Sequence, residues 1–172
     1  MAVKMTATKG NLMAAKNTLR LSKQGYEMLD KKRNILIREM MSLIEEAKTV
    51  EKSIKDTFSR AYHALENANI IMGINNVNYY AHTSIIDNSV SINLRSVMGV
   101  EIPVVSVDET PERPMYSFYS TSSALDEAQI CFGKVKSLSV KLAEIENSVY
   151  RLAMNIKKTQ KRANALQNIT IP

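Results

Sequence analysis

The sequence has 172 residues, of which 45% are hydrophobic, and it contains only five Gly and four Pro residues. Few helix breakers permit long uninterrupted elements, and a chain without Trp and with 6% aromatic residues is not typical of a large globular core. The single cysteine, Cys131, cannot form an internal disulfide, which fits a reducing compartment. No apolar run approaches the roughly 18 residues of a membrane span, so we expect a soluble or membrane-peripheral helical protein.

The net charge of +6 is unevenly distributed along the chain. Residues 1–38 contain nine Lys and Arg residues and two acids, and residues 151–172 contain five such bases and no acid. Residues 39–150 contain nine bases and fifteen acids. A fold that brings the two ends of the chain together therefore has one strongly basic end, which suits an acidic partner.

Apolar and small residues recur in steps of three and four over residues 12–72, which predicts one long helix of about 90 Å. The series is Leu12, Ala15, Leu19, Ser22, Tyr26, Leu29, Arg33, Leu36, Met40, Leu43, Ala47, Val50, Ile54, Phe58, Ala61, Leu65, Ala68 and Met72. Only Ser22 and Arg33 interrupt the apolar pattern, and we expect Arg33 either to contact a partner or to extend its cation out of the seam. Such a helix cannot bury its apolar stripe alone, so it requires a packing partner.

The segment 73–122 differs in composition, because it holds three of the four prolines and many Asn and Ser residues. Apolar and polar residues alternate on both sides of Met98-Gly99, and Gly readily adopts the positive φ of a tight turn. The pattern predicts a β-hairpin at about residues 89–107. Pro103 lacks an amide proton, so its strand should lie at a sheet edge or have its amide side facing out.

A second long helix is predicted over residues 123–166, with Ser123 and Asp126 as a capping box. Its apolar seam is Leu125, Ala128, Phe132, Val135, Leu138, Leu142, Ile145, Val149, Leu152, Ile156, Thr159, Ala163 and Leu166. The fold class is therefore mainly α: a long antiparallel two-helix coiled coil with a small β-hairpin head between the helices. We divide the chain into a first shaft helix (1–72), a head (73–122) and a second shaft helix (123–172).

The register of the coiled coil follows if Met72 and Ser123 meet at the head. Facing residues then have numbers that sum to about 195, which brings Leu166 beside Leu29. Residues 12–28 have no partner within the chain in this arrangement. The two basic ends of the chain meet there, at the end of the rod opposite the head.

Three segments carry a resemblance to the D subunit of the V-type and A-type rotary ATPases. Residues 25–36 are similar to the family's pattern of Gly, Leu-Leu-Lys, Lys-Arg-Asp and Leu, and residues 159–172 resemble its Arg-Arg-Val-Asn-Ala-Leu-Glu followed by Ile-Pro. The turn at residues 97–103 resembles the family's Met-Gly-Val turn. The departures from these patterns are Asp30, Asn34, Lys161, Ala163 and Gln167. Family members continue past the Ile-Pro, so we expect this sequence to lack the family's C-terminal helical end.

The resemblance implies a non-catalytic central rotor shaft that turns inside a hexamer of catalytic A and non-catalytic B subunits and drives a membrane ion-translocating ring. The hexamer-contact residues that it implies at the shaft tip are Leu29, Lys31, Lys32, Arg33, Lys161, Arg162, Asn164 and Leu166. In the head, the implied binding residues for the small F subunit and for the ring-linking C/d subunit are Val97, Met98, Gly99, Val100, Ile102 and Pro103. It also implies a cytoplasmic location, peripheral to the membrane through the complex.

Motifs that would indicate an enzyme do not occur in the sequence. There is no Gly-x-x-x-x-Gly-Lys motif for nucleotide phosphates, and His63 and His82 lack ligand-spaced Cys, His or acidic residues. We therefore expect no catalytic residue, cofactor or metal, and no direct nucleotide, nucleic acid or lipid partner. The alternative is a basic coiled-coil hairpin that binds nucleic acid or acts as a scaffold, although such a protein would be expected to carry Lys and Arg along one open face.

Overall fold

The computed structural model describes residues 6–83, 90–107 and 116–172. The elements are α1 (Lys9–Met72), α2 (Ile74–Thr83), β1 (Val90–Val97), β2 (Val100–Val107), a 3-10 turn (Phe118–Ser120), α3 (Ser123–Ala165) and a π-helical turn (Leu166–Thr170). Two long helices with a two-stranded antiparallel sheet between them in sequence confirm the predicted fold class. The start of the predicted hairpin at residue 89, and parts of the predicted first helix and head, lie outside the described residues.

Local sequence signals define both ends of α1, which spans 64 residues, or about 96 Å. At its start, the Thr8 hydroxyl accepts a hydrogen bond from the backbone N–H of Asn11 over 3.3 Å, which satisfies one of the unpaired amides of the first turn. At its end, Gly73 adopts a φ of +82°, which L-residues with a Cβ rarely adopt. The chain therefore leaves α1 at Gly73 and starts α2 directly afterwards.

The helices α1 and α3 pack antiparallel, as several pairs along the seam show. Glu46 Oε1 and Lys141 Nζ are 3.3 Å apart, and the ring centroids of Tyr62 and Phe132 are 5.8 Å apart. Near the tip, Leu166 Cδ1 lies 3.6 Å from the position of a Cβ built on Gly25, one helical turn from the predicted neighbour Leu29. The predicted register is thus confirmed to within about two turns.

The hairpin packs on the side of the shaft and does not extend from its end. Val100 and Ile102 of β2 form one buried cluster with Leu36 of α1 and Leu152 of α3. Leu36 lies about ten helical turns, or roughly 54 Å, from Met72 at the end of α1. The sequence-based picture of a head beyond the helix ends is wrong in this respect. The physical reason is that an isolated two-stranded hairpin is barely stable and needs another element on which to bury its apolar side chains.

At the opposite end from the tip, α2 packs on the two shaft helices. Ala68, Val77 and Leu125 form a buried cluster to which α1, α2 and α3 each contribute one residue. We refer to this end of the rod, around Gly73 and Ser122, as the turn end.

The N-terminus of α3 corrects the predicted capping box. The N-cap is Ser122, whose hydroxyl accepts from the N–H of Ala124 over 3.2 Å, whereas Ser123 is already helical. The Asp126 carboxylate does not reach back to the cap but accepts a hydrogen bond from the Tyr116 hydroxyl over 2.6 Å. The carboxylate therefore forms a tertiary contact in place of the capping contact, and local sequence rules cannot predict such a contact.

Candidate partner-binding surfaces

The tip of the shaft brings together the two basic segments that the sequence separates. Lys31, Lys161, Arg162 and Asn164 are exposed there. The other four predicted contact residues are half-buried: Leu29, Lys32, Arg33 and Leu166. Apart from Arg33, no Lys or Arg of this predicted set forms an ion pair within the described residues. The tip therefore presents exposed positive charges to the solvent.

Arg33 does not point along the seam toward a partner. Its guanidinium donates to the Asp30 carboxylate one turn earlier on α1, and Asn34 donates to the other oxygen of the same carboxylate over 3.2 Å. The cation is thus held at the side of its own helix. Asp30, one of the departures from the family pattern, is the residue that makes this possible.

The stretch predicted to have no partner, residues 12–28, is shorter in the structure. Ser22 is buried and Gly25 and Tyr26 are half-buried, because the chain continues past α3 through the π-helical turn. Leu12, Met13 and Leu21 remain largely exposed. The uncovered apolar stripe is thus confined to the first three to four turns of α1.

The hairpin turn at Met98-Gly99 has the geometry that its sequence predicts. Both residues have positive φ, +50° and +74°, as a type I′ turn requires, and Val97 pairs with Val100 across the turn. Of the six predicted partner-binding residues, Val100, Ile102 and Pro103 are buried and Val97 is half-buried, whereas Met98 and Gly99 are exposed. The chain's own shaft thus covers part of this predicted surface.

Three polar contacts fix the hairpin to both shaft helices. Ser148 Oγ of α3 donates to the carbonyl of Pro103 over 3.4 Å, and Arg151 Nη1 donates to the carbonyl of Glu101 over 3.2 Å. On β1, Arg95 Nη2 lies 3.5 Å from Glu39 Oε1 of α1. The β2 edge therefore lies on α3, and one face of the sheet is turned toward α1.

Among the described residues, two groups of exposed apolar side chains were not predicted from the sequence. On the hairpin, Ile92 and Leu94 of β1 are 68% and 61% exposed. At the turn end, the exposed large apolar residues are Ile70, Ile71, Ile74, Tyr79, Phe118 and Tyr119. The consecutive Ile70-Ile71, of which neither belongs to the seam series, is a sequence signal that could have revealed the second surface.

The tyrosines of the turn end differ in burial. Tyr80 and Tyr116 pack on its core cluster, while Tyr119 is 97% exposed. Within the described part of the chain, no three His, Cys, Asp or Glu side chains cluster in a way that could hold a metal ion. In the same ranges, no helix is long and apolar enough to cross a bilayer.

An antiparallel two-helix rod with a hairpin fixed to its side, one basic tip and one apolar end belongs to the class of coiled-coil shaft proteins. Residues 11–172 match the family model of the ATP synthase D subunit. The chain belongs to this family, as its sequence motifs predicted.

Individual relatives agree with the family match. The chain is 45% identical over 165 residues to the V-type ATP synthase D subunit of Thermotoga neapolitana, covering 96% of this chain and 81% of that protein. It is 32% identical over 173 residues to the A-type ATP synthase D subunit of Pyrococcus furiosus, covering 99% and 81%. The A-type protein of Methanobrevibacter smithii is 34% identical over 172 residues, covering 96% and 73%.

Proposed function

We propose that this chain is the central-stalk rotor of a V-type or A-type ATPase and transmits rotation between the ATP-hydrolysing hexamer and the membrane ion-translocating ring. The observation that carries the proposal is the antiparallel seam, which runs from Gly25 and Leu166 near the tip to Ala68 and Leu125 at the turn end. Two helices packed along such a length resist twisting and bending better than one helix. The chain itself makes and breaks no bonds in this proposal.

The basic tip supports a seat inside the A and B subunits. Exposed cations such as Lys31, Lys161 and Arg162, without acidic partners of their own in the described residues, attract acidic groups that surround the rod. A rod that is off-centre in the hexamer presents different faces to the three catalytic sites. Each site then favours a different conformation, because its contacts with the rod differ.

The two apolar surfaces support two further partners. The hairpin, with exposed Met98 at its turn and Ile92 on its outer face, is the proposed docking site of the F subunit. The turn end, where Ile70 and Tyr119 are exposed, is the proposed contact with the ring-linking subunit. Exposed apolar groups of this kind mark interaction sites when they cluster on one region of a protein. Through these partners the chain would be cytoplasmic and peripheral to the membrane.

Reconstitution tests the proposal directly. The chain is mixed with the A, B and F subunits of the same organism, and the mixture is separated by size exclusion. We expect co-elution with both the hexamer and the F subunit, and ATP-driven rotation of a bead attached through a cysteine introduced at the turn end. Failure to co-elute with either partner, together with tight and salt-sensitive binding of RNA, would instead support the nucleic-acid alternative.

A further inference from the structure

Within the described residues, the shaft covers one edge of the hairpin, and the other edge has no hydrogen-bonded neighbour. Because Pro103 has no N–H, its pair with Leu94 is a non-hydrogen-bonded pair, in which the backbone groups of both residues point away from the partner strand. The contacts with α3 agree with this register, since the carbonyls of Pro103 and Glu101 accept from Ser148 and Arg151. The outer edge of β2 is therefore occupied by the shaft.

On β1, the same alternation directs the backbone groups of Val90, Ile92, Leu94 and Ser96 away from β2. No described residue hydrogen-bonds these groups. An edge strand with a row of unpaired N–H and C=O groups is a template for the addition of another strand.

The side chains of these same residues define the outer face of the hairpin. Residues that lie directly opposite each other on β1 and β2 have their side chains on the same face of the hairpin. The 2.6 Å contact between Ser91 Oγ and Ser106 Oγ shows this for the inner face, the one that also carries Val100 and Ile102. Ile92 and Leu94 therefore lie on the face away from Val100 and Ile102, which contact the shaft. The free edge of β1 therefore lies directly beside the exposed apolar face of the hairpin.

The two faces of the hairpin carry different charged residues, and these restrict which kind of strand can bind beside β1. Arg95 belongs to the inner face and lies against Glu39 of α1. Glu101, opposite Ser96, is the one ionisable residue among the outward-facing positions of β1 and β2. A complementary strand therefore has apolar residues next to Ile92 and Leu94 and a Lys or Arg at the end nearest Glu101.

We propose that the free edge of β1 binds an extended strand of the F subunit, which adds a third strand to the hairpin beside its apolar outer face. This inference rests on the proposed function, because its occupant is the stalk partner named there. The backbone hydrogen bonds supply affinity, and the alternating side chains of the added strand supply selectivity. The apolar alternation of β1, which points away from the shaft, is then buried in the complex.

A pair of substitutions at one position separates strand addition from mere contact with the apolar face. Ile92→Ala and Ile92→Pro both remove the exposed side chain, but only the proline also removes the edge N–H. The ladder with β2 is unaffected, since Ile92 belongs to a non-hydrogen-bonded pair. We expect the chain carrying Ile92→Pro to bind the F subunit about tenfold more weakly than the chain carrying Ile92→Ala.

Hydrogen exchange of the unmodified chain provides a second measurement that needs no variant. We expect the amides of Ile92 and Leu94 to exchange quickly in the free chain and to gain protection when the F subunit is added. Equal affinities of the two variants, with edge amides that stay unprotected, would overturn strand addition and leave the F subunit as a partner. If the F subunit does not bind the unmodified chain, both strand addition and the proposed partner are refuted.

Discussion

In one section of the shaft the hairpin packs on the two helices as a third layer, whereas in other sections the two helices pack alone. The two arrangements bury the seam to different extents. In the middle, the hairpin covers the seam, and Leu36 and Leu152 are the only large side chains of the described residues that are fully buried. Between this section and the turn end, Val50 and Ile145 are buried, but Phe58, Leu138 and Leu142 around them are only partly so. Two helices alone leave the flanks of their seam in contact with water, and a third element is needed to exclude it.

The largest expected effect is the loss of a leucine from the three-layer section. Leu152→Ala removes a fully buried side chain and should lower the free energy of unfolding by about 3 kcal/mol. The matched change Leu142→Ala, in the two-layer section, should cost about half as much because the side chain is already partly hydrated. Urea denaturation followed by circular dichroism measures both losses, and equal losses would show that the hairpin does not strengthen the seam.

A smaller effect is expected from the two isoleucines on opposite faces of the hairpin. Ile102→Ala opens the cluster that contains Leu36 and should lower the free energy of unfolding by about 2 kcal/mol. Ile92→Ala affects an exposed side chain and should change it by less than about 0.5 kcal/mol. Thermal melts of the isolated chain provide the comparison. A destabilising Ile92→Ala would mean that the outer face of the hairpin is covered by the chain itself.

Charge provides a third comparison, between the tip and the middle of the shaft. Lys161→Gln with Arg162→Gln removes two exposed cations that lack ion pairs in the described residues, and we expect association with the hexamer to slow about tenfold at low salt. Lys141→Gln removes a cation already paired with Glu46 and should leave the rate nearly unchanged. Stopped-flow association at two salt concentrations tests the difference, which should shrink at the higher one. Similar slowing by both changes would refute a specific role of the tip.

The sequence specified the helices and the turn of the hairpin, because these depend on short-range rules. The three-to-four periodicity predicted the end of α1 at Met72 and its start to within three residues, and Gly99 indicated a tight turn between the two strands. The location of the hairpin along the shaft could not be predicted, since nothing in a period-2 pattern specifies which apolar surface it will contact. For the same reason the exposure of Ile92 and Leu94 could not be predicted, because an alternating pattern identifies two faces of a strand but not which of them contacts the core.

The candidate surfaces were predictable to different degrees for a related reason. The basic tip followed from counting charges, because an antiparallel partner helix places residues 151–172 beside the basic stretch between Gly25 and Arg38. The pairing of Arg33 with Asp30 is a choice among side-chain rotamers, and the sequence left it open. The burial of Val100, Ile102 and Pro103 against the shaft depends on tertiary packing alone.

The last comparison concerns the turn end, where α1, α2 and α3 also form a three-element section. The Tyr116 hydroxyl donates to Asp126 over 2.6 Å and lies 2.8 Å from Gln129 Oε1. Tyr116→Phe should therefore lower the free energy of unfolding by about 1 kcal/mol. Burial, and secondarily the hydrogen bond and negative charge of Asp126, raise the pKa of Tyr116 well above its usual range.

The sign of the pH dependence follows from this raised pKa. The unfolded chain loses the Tyr116 proton at lower pH than the folded chain, so the contribution of this residue is complete below about pH 10 and declines as the pH rises further. Urea denaturation of the unmodified chain and of Tyr116→Phe at about pH 7 and about pH 11 isolates this contribution. We expect the difference in stability between the two chains to be smaller at the higher pH. A difference that is constant or grows with pH would show that Tyr116 is not held as a neutral donor, and that the turn end owes its rigidity to apolar packing alone.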